Sequence, residues 1–386
     1  MVGIGGADEP VEGDVELALQ TLEHIGVAPR QLRGRDALGG GGLGHLQPVL
    51  VGARQVAHVE SVEPVEPGDR VGGDVLVGVA DVRVTVGVGD RSGDVERLHH
   101  RPPYCVRVSS KRSGKTPPPP PEPLSPLVDA HTHLDACGAA DAASVRAIMD
   151  RAAAAGVQAA VTVADDLESA RWVTQAADAD DRVYAAVALH PTRADTLTDA
   201  ARSEIEALAA HPRVVAIGET GMDLYWPGRL EGCPDPQVQR EAFAWHIDLA
   251  KRTGKPLMIH NRDADAAVLD VLRAEGAPET VIFHCFSSGP AMAHTCIDAG
   301  WIVSLSGTVS FKNAHDLREA AALIPDGQLL VETDAPFLTP HPYRGAPNEP
   351  YCLPYTVRAL AELLGTSAAE LADVTNRNAR RVYGLG

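Results

Sequence analysis

Eight short apolar runs recur between residues 127 and 333, at 127–131, 157–163, 183–189, 214–219, 256–260, 280–284, 301–306 and 329–333. Alanine-rich stretches with helical spacing separate most of them, at 141–155, 166–178, 200–210, 236–253, 264–275 and 290–299. Runs this short and this continuously apolar suit strands buried on both faces of a parallel sheet, joined by crossover helices. Eight repeats in about 260 residues predict an α/β fold, a (β/α)8 TIM barrel over 127–386. The tail from Tyr355 to Tyr383 is expected to add helices. A doubly wound open sheet is the competing arrangement, but no GxGxxG follows the first run.

Metal-ligand side chains sit at the ends of these runs. They are His131 and His133 in VDAHTHLD, Glu219 in VVAIGETG, His260 in LMIHNR, His284 in VIFHCF and Asp334 in LLVETDAP. In a parallel barrel all strand ends open on one mouth, so these six side chains are predicted to share a cleft. His131 and His133 are two apart, which points both imidazoles the same way along a strand. Asp129 precedes them and could orient a ligand from behind. Gly218 would let the backbone beside Glu219 come close to the centre, where a carboxylate could bridge two cations. Asp334 could bind one cation and accept the proton of an attacking water, which makes Asp334 and Glu219 the expected catalytic pair. His260 and His284 are expected to complete the shell of a second cation. Imidazole with carboxylate suits Zn²⁺, Mn²⁺, Fe²⁺ or Mg²⁺, not a thiolate-selected metal. A pair of such ions would polarise a phosphate and activate water together.

The first 126 residues are unlike the rest. They hold one aromatic residue, Tyr104, no Phe, Trp or Asn, and 20 of the 36 glycines; their first lysine is Lys111. Such a composition does not support a packed core. Residues 1–126 are therefore expected to be a disordered extension, or translated upstream DNA from a start site assigned too early, with Val108 as an alternative start. The run Pro117 to Pro121 is expected to be a stiff spacer.

The net charge of −18 argues against a protein that coats nucleic acid by bulk electrostatics. The six cysteines (Cys105, Cys137, Cys233, Cys285, Cys296 and Cys352) are scattered without CxxC pairs and read as reduced thiols of a cytoplasmic protein. No apolar run is long enough for a membrane helix, and no secretory leader is legible. Neither a membrane nor an obligate protein partner is expected.

In order along the chain, VDAHTHLD, GETGMDLYW, IHNRDA, HCFS, ETDAPFLTP and YRGAPNEP resemble the TatD family of metal-dependent deoxyribonucleases, which are amidohydrolase-type barrels. The resemblance covers Val128 to Tyr383. It implies metal ligands at His131, His133, Glu219, His260, His284 and Asp334, with Glu219 bridging two divalent ions, Mg²⁺ being the usual activator. It also implies phosphodiester hydrolysis, commonly as a 3′–5′ exonuclease on single-stranded DNA. Two positions depart from the family pattern: Thr192, where a second histidine often follows HP, and Ser288, where glycine usually follows HCFS.

Arg262, two residues after His260, and Arg344, in the loop after the last strand, are candidate phosphate contacts, and His190 at the end of the third run is a candidate substrate contact. Tyr225 and Trp226 could stack on a base. The basic groups at 251–255 and 377–381 read as solvated helix ends. A small-molecule amidohydrolase or esterase, or a hydrolase of RNA ends or aminoacyl-tRNA, is the alternative on the same barrel. Many amidohydrolases use a carboxylated lysine where Glu219 stands, which favours the nuclease; a non-catalytic metal-bound scaffold is the third reading. N-terminal sequencing of the native protein should find a start near Val108; a start well before it would overturn the upstream-DNA explanation.

Overall fold

The computed structural model describes residues 2–3, 58–59, 115–124 and 126–385. The chain divides into two units, Met1–Ser109 and Ser110–Gly386. In the first, Val2–Gly3 and His58–Val59 pair antiparallel, and the remaining expectations for that segment lie outside the described residues.

The second unit alternates strand and helix. The strands are β1 (Leu127–Thr132), β2 (Val157–Val163), β3 (Val183–Val187), β4 (Val214–Asp223), β5 (Leu257–Arg262), β6 (Val281–Phe283), β7 (Ile302–Leu305) and β8 (Leu329–Val331). The helices are α1 (Ala142–Ala154), α2 (Leu167–Ala179), α3 (Asp199–Ala209), α4 (Pro236–Thr253), α5 (Asp265–Glu275), α6 (Pro290–Asp298), α7 (His315–Ala321), α8 (Leu353–Leu364) and α9 (Ala368–Tyr383). All pairings in the eight-stranded sheet are parallel, in sequential order from β1 to β8. This is the expected barrel. Most of the expected strand boundaries need adjustment by one or more residues. β4 runs on to Asp223, so Glu219 lies inside a strand, and β3, β6 and β8 stop short of the predicted ends.

Local chemistry starts the helices. Asp141 and Asp166 each cap a helix through a reciprocal bond with the serine three residues on, Ser144 and Ser169, and Ser367 does the same with Glu370. Each helix then buries an apolar stripe against the outside of the sheet. The barrel has a second, inner core formed by the alternate strand faces: Val128, Ala130, Val161, Val163, Met258 and Ile282 among others. The carboxyl end of α9 adds Ala379, Val382 and Tyr383 to that inner cluster, and Tyr383 Oη donates to Ala130 O at 3.0 Å.

One seam, β1 against β8, lacks a regular ladder. The buried carboxyl of Asp129 bridges it. Its Oδ1 accepts Thr333 N at 2.8 Å and its Oδ2 bonds Thr333 Oγ1 at 2.6 Å. Just beyond, Asp334 N donates to His131 O at 3.0 Å and His133 N to Ala335 O at 2.8 Å. Asp129 thus positions the backbone of Asp334, not only the histidine two residues on.

The proline run is not a plain spacer. Pro118 and Pro121 are buried against the barrel. Tyr351 Oη donates to Pro118 O (2.7 Å), Tyr355 Oη to Pro119 O (2.8 Å) and Arg358 Nη2 to Glu122 O (2.7 Å). Prolines offer carbonyls but no N–H, so a surface of side-chain donors is what such a segment requires. Gly156 lets it close in, since a Cβ there would fall 2.1 Å from Leu124 O.

Burial pushes the Asp129 carboxyl up to about 8, against the Thr333 bonds that lower it, so it is protonated at neutral pH. Asp129→Asn should therefore keep the seam within about 1 kcal/mol at pH 7, whereas Asp129→Ala leaves Thr333 N unpaired and should cost about 1–3 kcal/mol in thermal or urea unfolding. Equal losses in both variants would contradict this account.

Candidate metal centre

Glu219 reaches the mouth of the barrel because β4 is distorted around it. The β4–β5 register slips by one residue between Ile217 and Thr220, a bulge that re-aims the intervening side chain. The flanking glycines are required by contact. A Cβ on Gly218 would lie 2.4 Å from Met258 Cβ, and one on Gly221 would lie 2.1 Å from His260 O. Gly221 also has a φ of +144°.

The two oxygens of Glu219 face different groups. Oε1 lies 3.6 Å from His133 Nε2 and 3.9 Å from His131 Nε2, and both of those nitrogens lie 3.6 Å from Asp334 Oδ1. Oε2 lies 2.6 Å from His284 Nε2 and 3.2 Å from His260 Nδ1. The six sequence-predicted residues are thus brought together. Asp334 sits in the left-handed region at φ 51°, a strained conformation held by the β8 turn and the Asp129 seam.

Three histidines turn one nitrogen away from the cluster onto a hydrogen-bond acceptor: His133 Nδ1 onto Val163 O (3.1 Å), His131 Nδ1 onto Met258 Sδ (3.2 Å) and His260 Nε2 onto Asp223 Oδ2 (3.1 Å), while His284 Nδ1 lies 3.5 Å from Glu332 Oε1 without a hydrogen bond. An acceptor on the outer nitrogen places the hydrogen there, so the inner nitrogen presents its lone pair when the ring is neutral. Lone pairs of His131, His133 and His260 then converge on two carboxylates, with His131 Nε2 and His133 Nε2 only 3.1 Å apart. Such a set repels itself unless cations or protons lie within it. Three groups have ligand atoms close enough to hold a metal ion: His131, His133 and Glu219; His131, His284 and Glu332; and His190, Glu219 and His260.

The electrostatics respond to this crowding. Burial alone would raise the Glu219 carboxyl, but His284, His190 and bonds from His260 and His284 outweigh it and hold it well below its ordinary range. Burial opposes charge on His133, yet Asp165, Asp334 and Glu219 keep its pKa at about 10. His260 is raised and His284 is raised well above the usual imidazole value, against burial, by Glu219 and by Asp223 or Glu332 respectively. His131 is driven well below it by burial and by His284.

His190 differs from the other histidines. Its Nδ1 accepts Thr192 N at 3.1 Å and bonds Thr192 Oγ1 at 2.7 Å, so the hydrogen is on Nε2, 3.2 Å from His260 Nδ1. Burial and His260 push its pKa down to about 3. In this tautomer it offers the cleft a neutral N–H donor suited to substrate; only the other tautomer would let it join Glu219 and His260 around an ion. Thr192, the departure noted above, fixes this tautomer. Ser288, the other departure, donates to Asp265 Oδ1 (2.6 Å) and accepts from Asn261 (3.3 Å), tying the loop after β6 to α5.

Both arginines lie against aromatic rings: the Arg262 guanidinium lies 4.0 Å from the Tyr225 ring centre and 5.3 Å from that of Trp226. Arg229 lies 4.6 Å from the same Tyr225 ring, so that ring is engaged by guanidiniums. Arg344 lies 4.4 Å over the Phe311 ring, while Glu349 pairs with Arg151. Among the described residues no hydrogen bond or ion pair joins Arg262 or Arg344 to the cluster. Of the basic groups, Arg252 pairs with Asp248 and Glu206, and Arg381 bonds Gly327 O at 2.6 Å.

Sequence reading missed Asp223 and Glu332. Each orients a histidine, and each is an acidic residue near a predicted ligand, in GETGMD and ETDAP. Asp223 also caps the following loop by accepting Tyr225 N and Trp226 N. All five described cysteines are unpaired, and among the described residues no helix is long and apolar enough to cross a membrane.

The chain is similar to known proteins over its second unit. The family model described as TatD related DNase matches residues 128–384. The metal-dependent hydrolase TatD of Mycobacterium tuberculosis is 76% identical over 260 residues, 67% of this chain and 98% of that protein. A 3′-5′ ssDNA/RNA exonuclease TatD of Musicola paradisiaca is 34% identical over 248 residues, covering 62% of this chain and 92% of that one. The crystal structure of YJJV, a TatD homolog from Escherichia coli K12, aligns with a TM-score of 0.61 at 28% identity over 67% of this chain and 98% of that chain. The chain belongs to the TatD family and is a metal-dependent hydrolase.

Because His133 and His284 favour their protonated forms in the bare polypeptide, cation uptake must displace protons from them. Chelator-treated protein titrated with Mn²⁺ at pH 7.5 should release more than one proton per chain, read by an indicator dye, and should bind more weakly as the pH falls. Uptake without proton release would contradict the assignment of these groups.

Proposed function

We propose that this protein is a metal-dependent nuclease that hydrolyses phosphodiester bonds at the end of a single nucleic-acid strand, with single-stranded DNA as substrate and 3′ to 5′ polarity. The observation that carries the reading is the split of one buried carboxylate, Glu219, between two sets of inward-facing nitrogens. On this reading His131, His133, Asp334 and Glu219 would hold one divalent cation, and Glu219, His260 and His284 would hold a second, with Mg²⁺ expected and Mn²⁺ or Zn²⁺ as alternatives. Such ions supply Lewis acidity to a phosphoryl oxygen and acidity to a water. The cluster suits them, since its donors are imidazole and carboxylate without thiolate.

The polypeptide performs the remaining work. Asp334 accepts the proton of the attacking water, being the more exposed carboxylate of the cluster, with a side chain 13% accessible against 5% for Glu219. His190 donates its Nε2 hydrogen to a phosphate oxygen, in a tautomer fixed by Thr192. Asp223 and Glu332 keep His260 and His284 turned inward. Arg262, braced on Tyr225, and Arg344, braced on Phe311, hold the flanking phosphates. The relatives named as ssDNA/RNA exonucleases support this substrate class, and the unpaired cysteines suit a cytoplasmic setting.

The test is end-labelled single-stranded DNA, with RNA of the same sequence beside it and a panel of small amides and esters. Stepwise trimming with Mg²⁺ or Mn²⁺ that stops with chelator is expected. Glu219→Ala should lower kcat by more than about a thousandfold, and Asp334→Asn by at least about a hundredfold, on the scale of general-base loss. Arg344→Ala should mainly raise KM. Full activity in Glu219→Ala, or turnover of small amides with DNA left intact, would refute the proposal.

A further inference from the structure

A polar cavity of about 340 Å³ lies between α7, α8 and the loops that follow β7 and β8. Ser310, Arg318, His341, Tyr355, Arg358 and Glu362 line it. Arg318 and Arg358 are half-buried, yet among the described residues neither forms an ion pair. Each is anchored to a backbone carbonyl, Arg318 Nη1 to Val309 O at 3.2 Å and Arg358 Nη2 to Glu122 O at 2.7 Å. A guanidinium has five N–H donors, so both retain donors that these contacts do not use. Two anchored, half-desolvated cations that form no ion pair, in a cavity whose lining holds two arginines against the single carboxylate of Glu362, are unusual on a chain of net charge −18.

The cavity is joined to the metal centre along the rim. Phe337 is 44% exposed, and its ring lies 6.2 Å from that of His133. Four residues on, His341 lines the cavity and donates its backbone N–H to Ser310 Oγ at 2.8 Å; four residues of chain reach at most about 14 Å. Phe311, next to Ser310, carries the Arg344 guanidinium at 4.4 Å. The rim therefore offers an exposed ring beside the cluster, then one arginine, then two more. A planar fork suits a phosphodiester, and an exposed ring suits a base.

We propose that this cavity is a remote phosphate subsite, in which Arg318 and Arg358 grip the backbone of the uncut portion of the substrate strand while Phe337 and Arg344 carry the nucleotides between it and the cleaved bond. The proposal rests on the nuclease reading, and it adds a length requirement: strands long enough to span the rim bind more tightly than those that fill the centre alone.

Fluorescence anisotropy of the full chain tests it, using a trinucleotide and a dodecanucleotide protected from cleavage by phosphorothioate linkages. The wild type should bind the dodecanucleotide at least tenfold more tightly. R318Q/R358Q should lose most of that advantage, and the slope of log Kd against log salt for the longer strand should fall by about 1.4, two phosphates at roughly 0.7 each. R318K/R358K, which keeps the charge, should keep the slope, and so should R171Q/R273Q, a pair of exposed arginines elsewhere. Thermal unfolding of each variant separates loss of binding from loss of fold, and the lysine pair serves where the glutamine pair is unstable. A dodecanucleotide affinity and slope unchanged in R318Q/R358Q would overturn the proposal. So would a wild type indifferent to length whose melting point rises with inorganic phosphate only when both arginines are present, since the cavity would then take a free anion. Because the readout needs no cleavage, failure of hydrolysis would refute the nuclease reading separately.

Discussion

A buried carboxylate surrounded by imidazoles that present lone pairs is the constraint on which the rest of the molecule depends. Glu219 sits within 3.9 Å of four ring nitrogens, in a place where water does not solvate it. In a low-dielectric interior such a group must be matched by positive charge, and protons or metal ions are the available forms. The outer acceptors prevent relief by rotation, because turning His133 or His260 would bring an N–H to the centre but leave Val163 O or Asp223 without its donor. The cluster is thus held in a state that demands a cation.

The barrel makes this crowding affordable by distributing its mechanical demands. Close approach of β4 to β5 needs glycine at 218 and 221, and the bulge between them turns Glu219 inward. Asp334 needs a left-handed backbone at the end of β8, and the Asp129–Thr333 bridge holds that turn across the open seam. The same bridge joins the first and last strands, so one buried acid both closes the cylinder and aims a candidate catalytic residue. Stability and function meet at Asp129 because both need β1 and β8 in fixed relation.

Much of this was legible along the chain, for identifiable reasons. The strand and helix pattern was legible because its period is local, and the barrel followed from eight repeats of it. His131, His133, His260 and His284 were legible because a polar ring at the end of an apolar run has few bland explanations once four recur. Asp223 and Glu332 were not, since an acid beside a ligand looks the same whether it faces the ligand or the solvent. The brace of Arg262 on Tyr225 joins β5 to the loop after β4, and the seating of the proline run on Tyr351 and Tyr355 joins residues more than two hundred apart. Neither leaves a local trace.

Sequence alone determined the barrel, its register of ligand-type side chains at one mouth, and the family to which those motifs belong. Tertiary structure decided which nitrogen of each imidazole turns inward, which carboxylate is shared between two sets of donors, and which arginines remain without a carboxylate partner. The division has one physical cause. Periodicity and residue type are properties of neighbours in the chain, whereas a tautomer, a shared oxygen or an unpaired charge is set by atoms that other strands and helices bring within hydrogen-bonding distance.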